Sequence, residues 1–238
     1  LLAFAFGLVT VLRGIYAEAY QNVEVKGVIS GGLGYERAVK IAESGFVRDP
    51  YYEFVSQDAM VDMEGCTAVL TNRLDRWTED PVEWLEGWDE ERLMASKEKV
   101  LVMYADHAEA CGAALGDKVR LNEMNWWNNV TALGLDPLKP GETDMERRDA
   151  RRPFFQVVGI IQSKEKNRTV IIPAEARFTV TFLTPELRLD IAEYTLIEYH
   201  QGAAFSDYVK DQLERNQSAA KFTMDTSYAD RIYKIHQI

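Results

Sequence analysis

A twelve-residue apolar run, LLAFAFGLVTVL, opens the chain, which turns polar at Arg13 and continues in the helix-compatible stretch GIYAEAY. Twelve residues are too few to cross a bilayer, which takes roughly 20. No basic stretch precedes the run and no small-residue cleavage site follows it, as a secretory signal would require. The simpler account is the outer half of a transmembrane helix whose inner half lies upstream; the alternative is a buried core helix. At the other end, Thr226 and Ser227 supply an N-cap with Asp230 close behind. Tyr228, Ile232 and Ile235 then recur at i, i+4 and i+7, with no stop signal before Ile238. A chain held between two membrane-directed helices must leave and return on one side of the membrane.

The segments between alternate short strands with short helices. Val23, Val25 and Ile29 predict a strand that the glycine-rich stretch Gly31 to Gly34 ends as a turn. A helix face of Tyr35, Ala38, Val39 and Ala42 follows, then strands over 52–56 and 67–71. Near the C-terminus come a strand over 191–197, a helix face of Phe205, Tyr208, Val209 and Leu213, and a strand over 220–224. These βαββ and βαβ blocks predict one α+β layer beside the membrane. The middle carries strands over 99–104, 118–121, 155–161 and 169–172, with Phe178, Val180 and Phe182 alternating beyond, the pattern of an inserted β-rich subdomain.

Charge and motifs narrow the chemistry. A formal charge of −11 with no long basic stripe argues against nucleic-acid binding. The three histidines, His107, His200 and His236, are scattered without zinc-ligand spacing, and no Walker-A, Rossmann or G-x-S-x-G pattern is present. No catalytic, metal or cofactor residue is therefore assigned, and an enzyme is not expected. The cluster from Tyr104 to Glu109 reads as a helix start with Asp106 in its first turn and His107 on its apolar face. Cys66 and Cys111 read as two small core residues, with pairing as the alternative in an oxidising compartment.

All five tryptophans fall between Trp77 and Trp127. Trp84 and Trp88, four apart, predict one helix face, buried sooner than partner-binding. Trp126 and Trp127 are adjacent, so one can point outward as a recognition surface. The stretch 122–153 is longer than a hairpin needs, which marks it as functional or disordered. Within it Arg147 and Arg148 could meet an anionic ligand, although interleaved acids fit a salt-bridged helix better.

The layout and its local words resemble the extracytoplasmic domain of MacB/FtsX-type ABC transporter permeases. VLVMYADHAEACGAALGDKVRL resembles that family's strand, helix and Leu-Gly-Asp-x-Val turn, and FFQVVGII followed by TVIIP resembles its Val-Val-Gly and Ile-Pro strands. The resemblance implies a porter-like α+β subdomain over 21–75 and 186–226 with a Sabre-like insertion over 76–185. It further implies helices over 1–20 and 227–238 that lead from and to transmembrane spans. Arg13, Tyr16, Tyr228, Ile232 and Ile235 would then be stalk residues, and Trp84, Trp88, Trp126, Trp127, Arg147 and Arg148 the contacts for a substrate or an extracytoplasmic partner. It implies a place on the outer face of the cell membrane, a second permease copy as dimer partner, and a separate cytoplasmic ATPase subunit that binds ATP. The competing class is a surface-anchored binding domain without an ATPase; an exported hydrolase is the third, and lacks a visible site.

Overall fold

The computed structural model describes residues 23–62, 64–123, 143, 154–176, 187–215 and 218–236. Arg13, Tyr16, Trp126, Trp127, Arg147 and Arg148 lie outside the described residues, as do the opening apolar run and the alternation at 178–182. The chain is α+β and divides into two compact units, one of Leu1–Pro50 with Ala192–Ile238 and one of Tyr51–Ile191.

In the first unit, β1 (Lys26–Gly34) lies between β10 (Lys221–Met224) and β9 (Arg188–Leu196). The β1–β10 ladder is antiparallel, from Gly27 opposite Met224 to Ser30 opposite Lys221. The glycine-rich stretch does not end β1, as the sequence had suggested, but lies within it. Gly31 and Gly32 take φ of +92° and +93°, which bends the strand where side-chain-bearing residues would be strained. Ile29 and Leu33, on either side, both remain buried.

Helix α1 (Tyr35–Ala42) buries Tyr35, Ala38 and Ile41, so the inward face is rotated from the expected one and Val39 is only half-buried. Tyr194 on β9 donates its hydroxyl to the Ala38 carbonyl at 3.1 Å, which fixes that face to the sheet. Helix α4 (Gly202–Glu214) buries Phe205, Val209 and Leu213 at helical spacing, as predicted. Phe205 meets Tyr194 and Phe222 edge-on, each at 5.9 Å between ring centroids. Gly27 makes this trio possible, because a Cβ there would come within 2.8 Å of the Phe222 ring and 2.9 Å of Phe205. Helix α5 (Ser227–His236) closes the unit with Ala229 buried.

In the second unit the strand order is β2 (Val47–Val61), β3 (Glu64–Thr71), β8 (Thr169–Pro173), β5 (Val100–Tyr104), β7 (Phe154–Ile161), β4 (Val82–Trp84). A further strand, β6 (Lys118–Glu123), pairs with both β2 and β7. The β3–β8 and β5–β7 ladders are parallel, and the other pairs antiparallel. β2 is much longer than the five residues expected, because its later half carries exposed Gln57 and Asp58 at a bulge in the β3 register. That bulge breaks the simple alternation by which strands are recognised.

β5 buries all five of its residues, as a strand flanked on both sides must. It passes without a loop into α3 (Ala105–Cys111), which ends at Gly112 in the left-handed region with φ of +65°. Amides of Gly112 and Ala113 cap that end by bonding to the carbonyls of Glu109 and Ala108. His107 is fully buried on the inner face of α3, as the sequence indicated, and the Asp106 carboxylate accepts the amide of Asn167 at 3.1 Å.

Truncating Phe205 to Ala removes the ring on which α4, β9 and β10 converge. Its unfolding free energy is expected to fall by about 3–5 kcal/mol in urea titrations followed by circular dichroism.

Candidate functional site

Three of the five tryptophans pack on one core in the second unit. Leu74, Leu93, Val100, Val102, Tyr104, Val158, Ile161 and Ile171 form the cluster, and Trp77, Trp84 and Trp88 rest against it half-buried. Trp84 and Trp88 do not share a helix. Trp84 ends β4, opposite Gly159, and Trp88 follows a turn at Glu86–Gly87 before α2 (Glu90–Ala95) begins. Gly87 takes φ of +79°, which a helix through Trp88 could not accommodate. The four-residue spacing instead reflects a strand that places Val82 and Trp84 on one face, and a turn that folds Trp88 back onto the same core.

The turn is held by its own bonds. Leu85 donates its amide to the Val158 carbonyl and Trp88 to the Leu85 carbonyl, each at 2.9 Å. Asp89 caps α2 by accepting the Arg92 amide at 2.8 Å. The Arg92 guanidinium bonds the Gly87 carbonyl and lies over the Trp88 ring at 4.2 Å. Pro81 accepts the Gln162 amide at 2.8 Å, anchoring the start of β4.

Around these rings the surface is acidic. Residues 75–92 carry eight carboxylates against two arginines, a net −6 within a chain total of −11. Glu79, Asp80, Glu83, Glu86, Glu90 and Glu91 are all exposed. At Asp75, a two-point bond from Arg73, both contacts at 2.8 Å, holds the carboxyl below its usual range. The arrangement is a rigid aromatic floor rimmed by negative charge, suited to recognition of a cationic or amphipathic surface.

The other candidate residues lie apart from this surface. Among the described residues no group of three His, Cys, Asp or Glu side chains is placed to hold a metal ion. His200 is exposed, 3.8 Å from Glu198. In the first unit α5 takes its N-cap from Thr226, whose hydroxyl bonds Asp230 at 2.8 Å, and Asp225 accepts the Ser227 amide at 2.9 Å. The side-chain hydroxyl of Ser227 and then its amide draw the Asp225 carboxyl below its ordinary pKa. Asp225 adds a bond to the first turn that the sequence reading did not name, one residue before the Thr226 cap. The main chain of Tyr228, Ile232 and Ile235 is helical in α5, and their side chains are outside the described set. Among the described residues no helix is long and apolar enough to cross a membrane.

Comparison with solved structures places this architecture. The periplasmic region of MacB from Actinobacillus actinomycetemcomitans superposes with a TM-score of 0.50 at 9% identity, covering 88% of this chain and 92% of that one. The fold is that of the MacB periplasmic region. The extracellular domain of the noncanonic ABC-type transporter YknZ from Gram-positive bacteria matches equally well, with a TM-score of 0.52 at 8% identity over 85% of this chain and 100% of that one. No protein-family model and no curated protein matches the sequence. The likeness to MacB and YknZ is therefore one of fold, and it meets the expectation drawn from the strand, helix and turn words.

The tryptophan floor depends on Gly159. A Cβ there would come within 2.9 Å of Val102, 3.0 Å of Val82 and 3.1 Å of Trp84. Gly159→Ala is expected to push β4 off β7, cost about 1–3 kcal/mol in chemical denaturation and red-shift the tryptophan emission.

Proposed function

We propose that this chain is the extracytoplasmic domain of an ABC transporter permease, seated on the outer face of the cell membrane and acting without enzymatic chemistry of its own. The observation that supports the reading is coverage: the fold match takes in 92% of the MacB periplasmic region and 100% of the YknZ extracellular domain. A second support is the path of the chain, because β1, where the described chain enters, and α5, where it leaves, belong to the same compact unit. A cytoplasmic ATPase subunit would bind and hydrolyse ATP, and a second permease copy would complete the transporter. Movement of the membrane helices would reach the domain through 13–20 and α5, with Arg13, Tyr16, Tyr228, Ile232 and Ile235 in the stalk.

Substrate or partner contact falls, in this reading, to the acidic aromatic surface around Trp84 and Trp88 together with 122–153, which carries Trp126, Trp127, Arg147 and Arg148. A net −6 on one exposed segment favours a cationic partner over an anionic one. The coding sequence beyond Ile238 separates this reading from a surface-anchored binding domain. An apolar run of roughly 20 residues is expected there, together with copurification of an ATPase subunit; a stop codon and no ATPase would sink the permease reading.

Proline at Ile232 removes an interior hydrogen bond of α5 and bends the helix. In the full-length transporter Ile232→Pro is expected to leave ATP hydrolysis running while transport is lost, with the far-ultraviolet spectrum of the isolated domain retained. Unchanged transport would count against the stalk.

The connection between β6 and β7 can be tested separately. Arg120 lies opposite Phe154 in their antiparallel ladder, so a short linker can replace 122–153. Folding of that variant should persist and transport should be abolished; full activity would show the segment to be dispensable.

A further inference from the structure

Cys66 and Cys111 are separated by 45 positions in sequence and both lie against the end of β2, Cys66 opposite Ala59 and Cys111 at Val61. Cys66 sits on β3 opposite Ala59, and Val61 lies opposite Glu64, so the two-residue alternation of strands puts Cys66 on the same face as Ala59 and Val61. Ala59 and Val61 are fully buried and Cys66 is only 6% exposed. From the last turn of α3, the Cys111 thiol reaches the Val61 carbonyl at 3.6 Å. Cys66 and the thiol of Cys111 thus lie beside the same end of β2, and the charge of Cys111 adds to burial in raising the Cys66 pKa.

A third group completes the cluster. His107, one turn before Cys111, places Nε2 3.8 Å from the Cys111 sulfur, while its Nδ1 is buried without a hydrogen-bond partner among the described residues. Burial, and next the charge of Arg168, lower the imidazole pKa, so the ring is neutral at pH 7 and places no positive charge beside the thiols. The two thiols differ in access: Cys111 is half-exposed and Cys66 buried.

We propose that Cys66 and Cys111 are a poised dithiol that closes to an internal disulfide when the chain meets a small disulfide oxidant, locking α3 to the β2–β3 hairpin. Cys111, the accessible thiol, loses its proton to solvent and attacks one sulfur of the oxidant, forming a mixed disulfide and releasing one thiol. Cys66 then attacks the Cys111 sulfur, giving up its proton and expelling the second thiol. The two cysteines lose two electrons and two protons in all, and the oxidant's disulfide is reduced to two thiols.

The surroundings set the pace. Burial, and then the Asp62 and Glu64 carboxylates, push the Cys111 thiol up to about 11 against the opposing pull of Arg168. Burial and then Cys111 push Cys66 up to about 12. Both groups are therefore thiols at pH 7, and the reactive thiolate of Cys111 grows about tenfold per pH unit until the pH approaches its pKa. The oxidising setting that makes this reaction useful rests on the extracytoplasmic reading above; the chemistry itself does not.

Glutathione disulfide is the probe, applied to the purified chain at pH 7, 8 and 9, with acid quench, iodoacetamide labelling and intact mass. The wild type is expected to end lower by two hydrogens with both cysteines protected from label, at a rate rising about tenfold per pH unit. Cys66→Ser should stall as a glutathione adduct on Cys111, and Cys111→Ser should leave Cys66 a free thiol in the folded protein. A lasting glutathione adduct on wild-type Cys111, or label on both cysteines after the wild-type chain has been exposed to the oxidant, would overturn the proposal. Because the assay is run on isolated protein, such a result leaves the transporter reading standing, and loss of that reading leaves the disulfide result unaffected.

Discussion

The second unit hangs on β5. Its five consecutive buried residues, Val100 to Tyr104, have strands on both sides, β7 running parallel and β8 antiparallel. At about 25 cal/mol per Å² of buried apolar surface, a strand like this is among the largest contributors to stability that the unit contains. It also fixes positions. β7 carries β4 and its tryptophan on its other edge, β8 carries β3, and α3 leaves directly from the end of β5 with His107 and Cys111 on it. The aromatic floor and the dithiol cluster are thus both positioned from one strand.

How much of this was legible in sequence depends on which signal each element had to rely on. β5, β7, β8, β9 and α4 were readable because their apolar residues follow the period of the structure they form, and burial rewards that pattern directly. β2 was mostly missed since Arg48, Asp49 and Pro50 open it and exposed Gln57 and Asp58 interrupt it. Those residues are tolerated by pairing with neighbouring strands that lie far away in the chain, a tertiary effect that no local window contains. The glycines of β1 misled for a related reason: a positive φ ends most strands, yet here it bends one whose flanking residues Ile29 and Leu33 are held by the core.

The site was legible in its residues and not in its geometry. Trp84 and Trp88 were found by type and spacing, and their burial against a core follows from their size, but the helix inferred from a four-residue spacing does not exist. Gly87 between them was the available signal, being both a helix breaker and a turn former. Cys66 and Cys111 left no local trace at all. Only the β2–β3 register and the docking of α3 bring them to the end of β2, so their relation is a property of topology rather than of any motif.

Identities of 8% and 9% with coverage near nine-tenths show that this fold is reached from very different sequences. The buried strands must keep their apolar character and register, whereas exposed carboxylates such as Glu79, Glu83 and Glu86 contribute little to stability and can change at small cost. The tryptophans join the two regimes. Trp77, Trp84 and Trp88 are each packed on the core yet only half-buried, so part of each residue stays open to solvent. An aromatic floor packed on the core and a charged rim exposed around it therefore differ in what they cost to change: the rings are tied to the fold, and the carboxylates are not.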